Sequence, residues 1–130
     1  MGVRVGFVGL GRMGRTHLDA LDRTGRLHVV AVADPAPEAR AFAEERGLGA
    51  FGSIEELVAA DQVDVAIVAS PTSTHLDAVR RLAAAGIHVL SEKPCGYRAD
   101  EARAAGEAAE RADVVLQIGY WKRFAAPLRD

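Results

Sequence analysis

Five short apolar runs set the terms for this chain: "VRVGFV" (3–8), "HVVAVA" (28–33), "VDVAIVA" (63–69), "IHVL" (87–90) and "VVLQI" (114–118). Each is apolar at nearly every residue, not at alternate ones. A strand with one wet face alternates; a strand covered on both faces does not. The runs therefore predict parallel strands with a helical layer on each side. A short edge strand at "GAF" (49–51) completes the set.

The segments between the runs carry helical spacing. Residues 12–24 place Met13, Leu18 and Leu21 on one side, and residues 37–46 place Ala39, Phe42 and Ala43 inward. Ser53 and Glu56 have the spacing of a capping box ahead of Leu57 and Val58. Residues 74–85 form a stripe of Leu76, Val79, Leu82 and Ala83, with Thr74 and Asp77 as candidate caps. Residues 99–111 offer Ala102, Ala105 and Ala109, a stripe small enough to lie close to a sheet. Gly25, Gly47 and Gly86 each follow a helical run, where a left-handed residue is wanted. Strand and helix alternate throughout. The fold class predicted is α/β, a doubly wound parallel sheet in three α/β/α layers.

Bulk properties narrow the function classes. The 130 residues suit one domain, 1–130, without linker, repeat or low-complexity stretch. Hydrophobic content of 49% and charged content of 26% are those of an ordinary globular chain. A net charge of −2 with no basic block argues against nucleic acid as partner. The opening "MGVRVGFVGL" is too short and glycine-broken for a signal or membrane span, so no membrane partner is expected. The single cysteine, Cys95, allows no internal disulfide and fits a reducing cytoplasm.

The chemistry starts at "GLGRMGRTH", directly after the first run. Gly9, Gly11 and Gly14 fall where a strand turns into a helix, which is where such spacing has physical meaning. Gly9 permits the tight turn, Gly11 lets the backbone approach a pyrophosphate, and Gly14 lets helix pack on strand. The helix N-terminus offers free N–H groups and partial positive charge. Arg12 either adds charge there or is simply solvated. With Met13 it completes the candidate loop. Asp34 ends the second run, about twenty residues on, where an acid can take the two ribose hydroxyls of the dinucleotide-binding (Rossmann) fingerprint. Its alternative role is to start the next helix ahead of Pro35. NAD is the expected cofactor over NADP, whose 2′-phosphate would meet the Asp34 charge. Arg40 is within sequence reach of that phosphate, which leaves room for some NADP tolerance.

Further stations lie on the same sheet edge, where open α/β sheets bind their ligands. Ser70, Pro71 and Thr72 leave the third long run and are expected to line the cofactor groove. His75 follows in the first helical turn, either as a functional residue or as a packing one. Glu92 and Lys93 emerge after the fourth run, with Pro94 fixing the backbone behind them. Lys93 is either a surface charge or a group that polarises a substrate hydroxyl beside the nicotinamide. Tyr120 and Trp121 follow the last run. They suit packing on a cofactor, or covering a seam to another domain.

In this order, "GLGRMG", "AVADP", "ASPTSTH", "SEKP" and "QIGYWKRF" resemble the N-terminal domain of the glucose-fructose oxidoreductase and inositol dehydrogenase (Gfo/Idh/MocA) family, over essentially the whole chain. The last motif is most similar to inositol 2-dehydrogenase-like members. The resemblance implies NAD or NADP on this domain. It implies oxidation or reduction of a sugar or cyclitol hydroxyl at the border with a second, mostly antiparallel domain. It makes Lys93 the catalytic or substrate-binding residue, working with an Asp and a His of that second domain. Those partners have no counterpart here, so the expectation is a cofactor domain, incomplete for turnover until a second domain supplies the sugar or polyol site. The alternative is a stand-alone, non-catalytic NAD-binding module. The seam around Tyr120, Trp121 and Phe124 is an expected surface for self-association.

Overall fold

The computed structural model describes residues 2–119. Six strands form one parallel sheet: β1 (Arg4–Val8), β2 (His28–Ala33), β3 (Gly49–Phe51), β4 (Val65–Val68), β5 (His88–Glu92) and β6 (Leu116–Gly119). Their order is β3-β2-β1-β4-β5-β6. Five α-helices connect them: α1 (Arg12–Thr24), α2 (Pro37–Glu45), α3 (Ile54–Ala59), α4 (His75–Ala84) and α5 (Ala99–Ala112). A single 3-10 turn, Thr72–Thr74, precedes α4.

The valine-rich runs are buried because both sheet faces are covered. One face packs Val5, Phe7, Val32 and Ile67 under Leu18 of α1 and Ala39 and Ala43 of α2. The other packs Val8, Ala66, Val68 and Val89 under Leu57 of α3, Val79 and Leu82 of α4 and Ala105 of α5. Val5 and Phe7 face one layer and Val8 the other, as strand alternation requires. Full burial of a side chain such as Phe7 contributes roughly 1.5–3 kcal/mol. Cys95 is a free, buried thiol, and burial pushes its pKa up.

Several expected details are corrected. β5 runs on to Glu92, although polar Ser91 and Glu92 end the apolar run. Its partner β6 reaches Gly119 opposite Glu92, so the ladder continues. Ala102 is exposed and Ala108 takes its place in the buried stripe of α5. Met13 is not on the core face with Leu18. It is 43% exposed and stands in the first turn of α1. Thr74 and Asp77 do not cap α4. Thr74 is already helical at φ −99° and ψ −7°, so its hydroxyl turns back to the Pro71 carbonyl, while Asp77 pairs with Arg81. Ser53 does cap α3 through the Glu56 N–H, but the Glu56 carboxylate accepts from Gly52, one residue earlier than a strict box. Tyr120, Trp121 and Phe124 lie outside the described residues.

Candidate functional site

The sheet order reverses between β1 and β4, and a cleft of about 690 Å³ opens over the C-terminal ends of β1, β2 and β4. A reversal of strand order leaves such a crevice, because the connections leave the two strands toward opposite faces.

The glycine loop forms its floor, and each glycine has a separate reason. Gly9 stands at φ +89°, and a Cβ there would lie 2.6 Å from the Ser70 nitrogen. Its N–H donates to the Ala33 carbonyl at 2.9 Å, so the turn is pinned to β2. A Cβ on Gly14 would lie 2.5 Å from the Gly9 carbonyl oxygen, so only glycine lets α1 start this close to β1. Gly11 differs: a Cβ there meets nothing within 4 Å, and the residue lines the cleft. Its open side is room for a ligand. α1 begins with no side-chain cap and no acid in its first turn. Its orphan N–H groups and dipole are therefore left for an anion.

Asp34 stands across the cleft floor. Its Oδ2 accepts the Leu10 N–H at 2.8 Å, and its Oδ1 accepts the Ala36 N–H at 2.8 Å. The acid thus faces the glycine loop through Leu10 and shapes the entry to α2 through Ala36. Each oxygen keeps a further lone pair for a hydroxyl donor. Arg40 donates from Nη1 to the carbonyls of Asp34 and Pro35 at 3.0 and 2.8 Å, which ties it to the backbone beneath the acid.

Of the residues singled out from sequence, Gly9, Gly11, Arg12, Met13, Asp34, Ser70 and Pro71 line the cleft. Thr72 sits in the 3-10 turn just behind it. Gly14 acts from below, by packing. Glu92 and Lys93 are farther along the same edge, at the end of β5. His75 is not on the cleft wall. It is 1% exposed and bridges two main-chain carbonyls, with Nε2 2.7 Å from Ser70 O and Nδ1 2.8 Å from Pro94 O.

The structure adds residues that sequence reading missed. Gly52, Ser53 and Ile54 wall the β3 side, because β3 ends beside β2 and its loop follows it to the cleft. Thr74 lines the opposite wall, where its hydroxyl meets Ser70 Oγ at 2.7 Å. His17 reaches Glu92: its Nε2 lies 2.5 Å from Oε1. The available signal was its spacing, three residues past Gly14 and hence on the same side of α1. Among the described residues no group of His, Cys, Asp and Glu is arranged to hold a metal ion. Nor is any helix there long and apolar enough to cross a membrane.

Residues 3–120 match the model of the Gfo/Idh/MocA oxidoreductases, described as an oxidoreductase family with an NAD-binding Rossmann fold. The chain belongs to the Gfo/Idh/MocA family. It is 42% identical to the rhizopine catabolism protein MocA of Rhizobium meliloti, over 97% of this chain and 40% of that protein. It is 34% identical to the inositol 2-dehydrogenase of Rhizobium meliloti (strain 1021), over 95% of this chain and 38% of that enzyme. Among solved Gfo/Idh/MocA-like structures, the WlbA dehydrogenase of Bordetella pertussis, in complex with NADH and UDP-GlcNAcA, superposes with a TM-score of 0.95. The two are 32% identical, and the match covers 99% of this chain and 40% of that one. The chain thus spans about 40% of the length of these relatives. As a family member it is an NAD-binding Rossmann domain.

Proposed function

We propose that these residues form the cofactor half of a nicotinamide-dependent oxidoreductase acting on a sugar or cyclitol hydroxyl, with NAD preferred to NADP. The observation that carries the proposal is the uncapped start of α1, opening on a cleft with the Asp34 carboxylate on its far side. The donors suit a pyrophosphate and the acid suits a diol, at the two places where a dinucleotide presents them. The names of the relatives support the substrate class: an inositol 2-dehydrogenase and a dehydrogenase solved in complex with UDP-GlcNAcA are both similar to this domain.

In this reading the glycine loop and the first turn of α1 hold the pyrophosphate. Asp34 takes the adenosine ribose hydroxyls, and Gly52–Ile54 close over the adenosine side. Ser70–Thr72 border the nicotinamide side. NAD, when bound, supplies the hydride acceptor. Lys93, exposed at the end of β5, donates a hydrogen bond to the substrate oxygen and steadies the negative charge that develops as the hydroxyl proton passes to a base supplied with the substrate-positioning part of the longer relatives. Substrate positioning comes from chain that the longer relatives have beyond this domain. Such positioning is worth roughly 7–11 kcal/mol in favourable cases, so these residues alone are not expected to turn over a polyol.

NAD preference rests on charge. A 2′-phosphate at about 4 Å from Asp34 is repelled by roughly 1–4 kcal/mol, depending on the local dielectric. The arginine that could offset this, Arg40, is held on carbonyl oxygens. Calorimetric titration with NADH and NADPH tests the proposal. NADH is expected to bind the tighter of the two. A folded chain giving no heat with millimolar NADH overturns the cofactor assignment, and equal affinity overturns the preference.

A further inference from the structure

Lys93 lies between two residues that are each gripped by a histidine. Glu92, on its N-terminal side, has its Oε1 2.5 Å from His17 Nε2, and its Oε2 accepts the Lys93 N–H at 3.3 Å. Pro94, on its C-terminal side, has its carbonyl 2.8 Å from His75 Nδ1. The histidines come from opposite layers. His17 is on α1, whose Leu18 packs one sheet face, and His75 is on α4, whose Val79 and Leu82 pack the other. Each also belongs to an element of the cofactor cleft. α1 rises from the glycine loop, and the other nitrogen of His75 is 2.7 Å from the carbonyl of cleft residue Ser70. Neither ring lines the cleft. A neutral imidazole donates to one of the two His75 carbonyls at a time, and a doubly protonated ring donates to both.

We propose that His17 and His75 are positioning residues that clamp the Glu92–Lys93–Pro94 turn to the cofactor loops, one from each face of the sheet, and so set where Lys93 stands relative to the nicotinamide. The functional half of this rests on the cofactor reading above; the clamp itself does not. An exposed lysine has many rotamers, and a fixed backbone origin is what makes its ammonium a useful donor at one place.

The test uses the 15N-labelled chain, first without nucleotide. The Lys93 amide is expected to be as rigid as β5 in wild type, by heteronuclear relaxation. In His17→Ala it loosens on the fast timescale, while β1 and β4 amides keep their exchange protection. His17→Gln, which retains a donor toward Glu92, restores the rigidity. His75→Ala is expected to loosen the same turn; should that buried site not tolerate the change, the His17 series decides. An unchanged Lys93 amide in His17→Ala, or loosening spread through β1 and β4, overturns the clamp. ADP and NADH binding then test its function. ADP affinity should stay within about twofold in His17→Ala, while the advantage of NADH over ADP falls by about threefold or more. An unchanged advantage overturns the functional half. Failure of wild type to bind either nucleotide overturns the cofactor reading and leaves the relaxation result to judge the clamp.

Discussion

The two edges of the sheet use polar groups in opposite ways. At the N-terminal edge they satisfy one another. The Arg4 guanidinium meets both oxygens of Asp64 at 2.9 and 3.1 Å, and its other nitrogen donates to the Asp61 carbonyl at 3.3 Å. Nearby, His88 Nδ1 accepts the Val115 N–H at 2.9 Å. A hollow of about 260 Å³ lies there too, lined by Arg4, Asp61, Asp64 and His88 among others. At the C-terminal edge the helix start is uncapped, Gly11 faces open space, and the acid keeps unused lone pairs. The larger cleft keeps an uncapped helix start at its mouth, whereas the charged groups of the smaller hollow, Arg4 and Asp64, are paired with each other.

The largest expected effect separates two glycines of one loop. Gly9→Ala puts a Cβ 2.6 Å from a main-chain nitrogen at a positive φ. It should cost about 2–4 kcal/mol of stability by denaturant unfolding, with binding lost as a consequence. Gly11→Ala meets no protein atom within 4 Å. It should leave stability within about 0.5 kcal/mol and still weaken NADH about tenfold, because the methyl stands in the ligand's room. Equal stability losses in the two variants would break the distinction between a glycine kept for the chain and one kept for the ligand.

Next in size is Asp34→Ala. It removes the acceptor for the Leu10 and Ala36 N–H groups and the charge that repels a phosphate. NADH affinity should fall and the NADH-to-NADPH ratio should narrow by about tenfold, measured by paired titrations. A ratio that stays put would place the source of cofactor choice elsewhere. The smallest effect belongs to the opposite edge. Arg4, by hydrogen bonds from side chain and backbone, holds the Asp64 carboxyl at about 2, below its ordinary 3.8. A depressed carboxylate contributes stability above its unfolded pKa and loses it as pH falls through its folded one. Asp64→Asn should therefore lower the unfolding midpoint slightly near pH 6 and make no difference below about pH 2, with NADH affinity unchanged throughout.

Much of this was legible because it depends on local rules. The doubly buried runs, the strand-to-helix glycines and Asp34 at the tip of β2 follow from periodicity and spacing, and the sheet places them as expected. What sequence reading lacked were contacts between residues distant in the chain. Glu92 meets His17 across 75 positions, and His75 meets Pro94 across 19. No periodicity encodes such pairs. Met13 and Ala102 were misplaced for a related reason. A helical stripe says which residues share a side, not where the neighbouring layer ends.

The sheet order has a consequence in time as well as in space. β1, β2 and β3 are joined to chain neighbours, as are β4, β5 and β6, whereas the β1–β4 pairing closes a loop of about 60 residues. Closing a loop of that length costs more entropy than the neighbouring pairings, so the join is expected to form later than they do. The cleft lies over that join, with Gly9 on one side and Ser70 on the other. The first half supplies the glycine loop, Asp34 and Gly52–Ile54, and the second supplies the wall of Ser70, Pro71 and Thr74. On the cofactor reading proposed above, a dinucleotide lying across the join is expected to bind the assembled sheet and to slow unfolding more than it speeds folding.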